Sequence, residues 1–197
     1  MPPPCRFGVG EGDLVSFLNV WKAWDESGRS KRWAAANHVS HRSMLRAADI
    51  RGQLEAHLRR AGLPLHSAFA EEQARGEGLT AVRRALTAGL FINAARLTEE
   101  LHVRPTDAED TGASVYRLVR SAGSAAAAVR LRIHHSSVLF RCRPPWVCFY
   151  SAEQGDSGWY DMREVHAIES QWLSELAPHF YQLVPINSNM RPAETPG

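Results

Sequence analysis

The chain has 197 residues, 44% hydrophobic and 22% charged, an ordinary globular composition long enough to bury the core of one large or two small domains. Its formal charge of +2 is too small to demand a nucleic-acid partner, and although nearly all its cations are arginine, which suits phosphates and bases, a GC-rich genome produces the same bias. Three cysteines without a CxxC pair exclude a disulfide framework and a zinc ribbon and fit a reducing compartment, and no run reaches the ~18 apolar residues of a membrane span.

Asp13 is placed to cap a first helix in which Leu14, Phe17, Leu18, Trp21 and Trp24 recur at helical spacing up to Gly28. Ser30 starts a short second helix through Trp33 to Asn37. A third runs from about His41 to Ala61, with Met44, Ala47, Ile50, Leu54, Leu58 and Ala61 on one face and Gly62 and Pro64 as the stop. A segment rich in Ala, Glu and Gly, Ala68 to Gly78, places a domain boundary between Leu63 and Leu79, before a helix near Thr80 to Leu90.

After Leu97 the period becomes extended. Val129, Leu131 and Ile133 alternate with Arg130 and Arg132, so the strand has one apolar and one cationic face. Trp146 to Tyr150 and Met162 to Ile168 are further strands. A last helix begins at Ser170, buries Trp172, Leu173, Leu176 and Ala177, and stops at Pro178. Glu99 to Ser114 and Ser121 to Ala128 look like loop insertions. Several short strands followed by a helix suit a small barrel.

Many short motifs stand in a shared order: EGD at Glu11 to Asp13, LNVW at Leu18 to Trp21, ADIRGQL at Ala48 to Leu54, GLFINAARL at Gly89 to Leu97, YRL at Tyr116 to Leu118, SSVLF at Ser136 to Phe140, and MREVHAIESQWLSELAPHFYQ at Met162 to Gln182. In this order the chain resembles the C-terminal end of DEAH-box ATP-dependent RNA helicases. The resemblance implies an α+β chain: an N-terminal helical bundle, the helicase-associated or ratchet domain, then an OB-fold β-barrel with a C-terminal helix. The implied divisions are residues 7–66 for part of the bundle, 67–90 for a linker and connecting helix, 91–185 for the OB fold, and 186–197 for a disordered tail. It also implies intracellular, nuclear placement, with the cytoplasm open, and wording closest to splicing-associated and nucleolar members.

The family's motor signatures do not occur. No GxxxxGK[ST] is present to cradle phosphates, and no DEAH-like acidic motif stands in place. The chain therefore reads as an accessory region without catalytic residues, cofactor or metal of its own; ATP and magnesium belong to the family's motor. FGVGEGD begins inside family-like sequence with only MPPPC before it, which favours a truncated gene model over a genuine short protein.

The candidate RNA-binding residues are Arg130, Arg132, His134 and Ser136, two apart on an extended segment, with Ser137 beside them. They offer charge followed by hydrogen-bonding groups, although pattern alone favours reading the same arginines as the solvated face of a half-buried strand. The resemblance adds that the matching HPSSVLF segment lies close to the RNA channel, here with His135 in place of the proline. A metal pair or hydrolase reading of His134, His135, Ser136 and Ser137 lacks a placed acidic member. Arg141 and Arg143 read as solvated loop charges. Lys31, Arg32 and Asn37 surround Trp33 in a segment resembling the family's SKxWCxxN pattern, with Ala34 in place of cysteine and Trp33 read as core. Asp161 stands where the family commonly has tyrosine, which leaves open a shifted register or loosened edge at the last strands.

The leading expectation is an accessory region guiding single-stranded RNA beside an ATP-driven motor, its partners being RNA, motor domains in cis and helicase cofactor proteins, with no membrane. The alternative is a stand-alone motorless protein binding RNA or a partner. A third reading is a general OB-fold binder of nucleic acid, against which the bundle motifs argue.

Overall fold

The structure is a computed structural model that describes residues 5–65, 79–98, 115–119, 129–155 and 158–182. The expected insertions at 99–114 and 121–128, the tail at 186–197 and most of the linker (residues 67–78) lie outside the described residues.

Three helices come first: α1 (Asp13–Glu26), α2 (Lys31–Ala36) and α3 (His41–Arg60). Serine caps open the second and third, because Ser30 Oγ accepts from Trp33 N–H at 3.2 Å and Ser40 Oγ accepts from Ser43 N–H at 3.3 Å. Behind α3, Gly62 at φ 70° lets Leu63 N–H return to the Leu58 carbonyl at 3.0 Å, a Schellman closure.

Helix α4 (Thr80–Leu90) leads through a 3-10 turn (Phe91–Asn93) into the strands β1 (Ala94–Leu97), β2 (Tyr116–Leu118), β3 (Leu131–Ile133), β4 (Trp146–Gln154) and β5 (Tyr160–Ala167). These close into a barrel in the order β1-β2-β3-β5-β4. Only β3 and β5 run parallel, with Arg132 opposite Asp161; the other pairs are antiparallel. Helix α5 (Ser170–Leu176) follows. The small barrel with a C-terminal helix is therefore present, with helices N-terminal to it.

Alternation sorts the strand residues between two cores. Tyr116, Leu131, Ile133, Val147, Phe149, Met162 and Val165 fill the barrel. Ala94 and Cys148 face outward and meet Ile168, Trp172 and Leu173, so α5 covers the outside of β1 and β4. Arg83 on α4 fastens this corner: Nε and Nη2 donate to the Ala167 carbonyl at 3.0 and 2.9 Å, and the guanidinium lies 4.9 Å from the Trp172 ring centre.

Asp13 differs from its expected role. It is the first residue of α1 behind an N-cap at Gly12, and no side chain caps the helix. Its carboxylate reaches into the barrel instead, accepting from Val138 N–H and Val165 N–H, both at 2.9 Å. Gly12 makes an antiparallel bridge to His166 at φ 127°, and Ala167 N–H donates to the Glu11 carbonyl at 3.0 Å. The segment before α1 thus continues the sheet at β5.

Helix α3 differs more. Its sequence predicts a buried apolar face, yet it has no buried residue, because the stripe through Ile50, Leu54 and Leu58 turns to solvent. The β4–β5 register, by contrast, holds from Val147↔Ala167 to Gln154↔Tyr160, so Asp161 sits in an unshifted strand.

Candidate nucleic-acid interface

Strand β3 buries Leu131 and Ile133, which turns Arg130 and Arg132 outward. Arg132 is half-buried, and its Nε donates to Asp161 Oδ1 at 2.6 Å across the parallel pair. This aspartate neutralises the central arginine. Arg130 is exposed, its guanidinium 5.7 Å from the Trp159 ring centre, and among the described residues no carboxylate holds it. On β5, Arg163 pairs with Glu153 at 2.7 Å. The outer edge therefore carries three arginines against two acids, with Arg130 presented by a cation–π contact rather than an ion pair.

Regular strand ends at Ile133, and a turn groups the next candidates. His134 Nδ1 accepts from Ser136 N–H at 3.1 Å and lies 2.7 Å from Ser136 Oγ. The backbone donor assigns the acceptor role to Nδ1, which puts the ring proton on Nε2. Burial, then the nearby Arg163 and His135 charges, lower the His134 pKa, so the ring is neutral near pH 7. The His135 ring lies 4.0 Å from it, centroid to centroid. Ser137 turns back on the loop, its N–H donating to the His134 carbonyl and its Oγ accepting from Leu139 N–H at 3.1 Å. Two imidazole rings and two serine hydroxyls thus follow the arginine edge, a surface suited to phosphate, 2′-hydroxyl and base contacts.

On α2, Lys31 and Arg32 are exposed in the first turn, and no hydrogen bond or ion pair among the described residues ties them to β3. Asn37 is buried, and its Nδ2 donates to the Trp33 carbonyl at 2.8 Å, closing the helix. Trp33 packs against Phe7 with ring centres 5.9 Å apart. Sequence reasoning missed Trp159 and Asp161 as partners of Arg130 and Arg132. An aromatic residue and an acid lay in the sequence, but only the parallel β3–β5 register matches each to its arginine.

Residues 82–181 match the family model described as oligonucleotide/oligosaccharide-binding (OB)-fold. Over 178 residues, 90% of the chain, the sequence is 35% identical to "Probable ATP-dependent RNA helicase DHX35" of Pongo abelii and 34% identical to the Homo sapiens protein of the same name. That alignment is too long to fit within the barrel and so takes in the N-terminal helices. The chain spans 21% of the length of these curated relatives. The similarity is to the C-terminal, accessory region of a DEAH-box RNA helicase.

Proposed function

The chain belongs to the oligonucleotide/oligosaccharide-binding (OB)-fold family, and from that premise we propose that its barrel guides single-stranded RNA past an ATP-driven helicase motor. In this reading the motor domains act in cis and bring ATP and magnesium, while α1 to α3 serve as the helicase-associated, or ratchet, segment. The barrel grips the backbone and performs no hydrolysis. The nucleus is the proposed setting.

The observation that carries the reading is Arg130, exposed on the barrel edge, stacked on Trp159 and without an acidic partner among the described residues. An arginine so placed meets a phosphate without first breaking an ion pair, and the indole face beside it offers a base a stacking surface. Arg132 has a different part. It is committed to Asp161 at 2.6 Å and shapes the edge more than it grips. His134, Ser136 and Ser137 extend the edge with neutral hydrogen-bonding groups.

The test is binding of the whole chain to a fluorescent single-stranded RNA across a salt series. Arg130→Ala is expected to weaken binding and reduce the salt slope by about 0.7, one phosphate contact on a single strand. Arg132→Ala is expected to lower stability more than affinity, since it strands Asp161. Unchanged affinity and slope in Arg130→Ala would remove the observation on which the proposal stands.

A further inference from the structure

The turn after β3 sorts its polar groups into donors and one acceptor. Ser136 N–H reaches His134 Nδ1 at 3.1 Å, so that nitrogen has no proton and accepts. Ser136 Oγ lies 2.7 Å from the same nitrogen, and of the two only the hydroxyl has a proton to donate. That proton is spent inside the turn, and Ser136 Oγ keeps only its lone pairs for anything outside. Ser137 is the reverse case: its Oγ accepts from Leu139 N–H at 3.1 Å and keeps its own proton to give. His134 Nε2 carries the ring proton, makes no hydrogen bond among the described residues and is not one of their buried unpaired atoms. Burial, then the Arg163 and His135 charges, lower the ring's pKa and hold it neutral near pH 7. The turn itself is fixed. Val138 N–H donates to Asp13 Oδ1 at 2.9 Å, Ser137 N–H to the His134 carbonyl at 2.9 Å, and Phe140 N–H to the Ser137 carbonyl at 3.2 Å.

We infer that Ser136 reads the ribose 2′-hydroxyl and gives the barrel edge a preference for RNA over DNA, an inference that rests on the reading of this edge as an RNA path. The backbone of DNA offers only acceptors, at its phosphates and its ether oxygens. Arg130, His134 Nε2–H and Ser137 O–H supply donors to such groups in either nucleic acid. An oxygen with only lone pairs to offer gains nothing from them. The 2′-hydroxyl is the one backbone group that donates, and only RNA has it. The two ring nitrogens of His134 point away from each other, so Nε2–H and Ser136 Oγ meet different groups of a bound strand. Phosphate and sugar are thus read by separate atoms of one turn.

The test is fluorescence anisotropy of the whole chain with a labelled oligouridylate, its 2′-deoxy form and its 2′-fluoro form, the last keeping the sugar pucker of RNA without a hydroxyl proton. The ribose strand is expected to bind about three- to tenfold more tightly than either of the others, the worth of one hydrogen bond. Ser136→Ala is expected to close that gap from the RNA side, and the backbone bond to His134 Nδ1 remains to hold its turn. Ser137→Ala, which removes a donor, should weaken all three strands alike. A 2′-fluoro strand that binds as tightly as RNA assigns any preference to sugar pucker and overturns the inference; this comparison uses the unsubstituted chain and stands even if Ser136→Ala does not fold. A gap that survives in folded Ser136→Ala also overturns it. Equal binding of all three strands, with Arg130→Ala still weakening each, overturns this inference and leaves the Arg130 contact in place. Absence of salt-sensitive binding to any strand removes both.

Discussion

Replacing Asp13 by asparagine removes the charge that ties α1 to the barrel while keeping the shape of the side chain. Asp13 is 4% exposed, and each carboxylate oxygen accepts one backbone N–H at 2.9 Å, from Val138 and from Val165. Asparagine keeps one acceptor and turns an NH2 group toward the second donor. A hydrogen bond to a charged group contributes about 1.5–3 kcal/mol, and a stranded buried N–H costs about 1–3 kcal/mol, so the substitution should cost about 2–4 kcal/mol. That is a large part of a typical domain's 5–15 kcal/mol. Urea unfolding reads the loss as a lower midpoint at unchanged slope. Amide hydrogen exchange locates it, because Val138 and Val165 should lose protection while Phe149, inside the barrel, keeps it. A cost below about 0.5 kcal/mol with both amides still protected would refute the claim that Asp13 holds the helices to the sheet.

Two further outcomes follow from the same junction. A Cβ at Gly12 would overlap the Val165 carbonyl oxygen and lie 2.5 Å from His166 Cα, at a backbone φ of 127°, so Gly12→Ala should destabilise as strongly, and normal urea stability would contradict the bridge between this segment and β5. His166 is fully buried, and burial with the Arg83 charge lowers its pKa to about 4. Between that value and the ordinary one near 6.5, the unfolded chain takes up a proton that the folded chain refuses. The His166 contribution is therefore complete above about pH 6.5 and declines toward pH 4, by about 3 kcal/mol. His166→Gln should remove that part of the pH slope, measured as the difference between the two proteins, and identical slopes would show that His166 does not titrate abnormally.

Local features were legible where a local cause sets them. Ser30 marked a helix start because a hydroxyl beside the first free N–H groups caps them whatever lies around. The alternation of Leu131 and Ile133 with Arg130 and Arg132 announced a two-faced strand. The ordered motifs from Glu11 to Gln182 named the family that residues 82–181 match. The turn joining His134 to Ser136 was less legible, since strand alternation and a hydrogen-bonded turn can both bring residues two apart together.

The sequence by itself marked the described α-helices, the strands β3, β4 and β5, and the two faces of β3, because these depend on neighbours within a few residues, while the short strands β1 and β2 carried too little alternation to be marked. Tertiary structure alone decided that β3 runs parallel to β5, since alternation reads the same whichever strand lies alongside. That pairing committed Arg132 to Asp161, 29 residues away, and left Arg130 on Trp159. Packing likewise turned Asp13 from a helix cap into a tether 152 residues from its Val165 donor, and the Ile50–Leu54–Leu58 stripe from an expected core face into an outer surface. An apolar stripe states what a helix can bury, and only the elements around it decide whether it does.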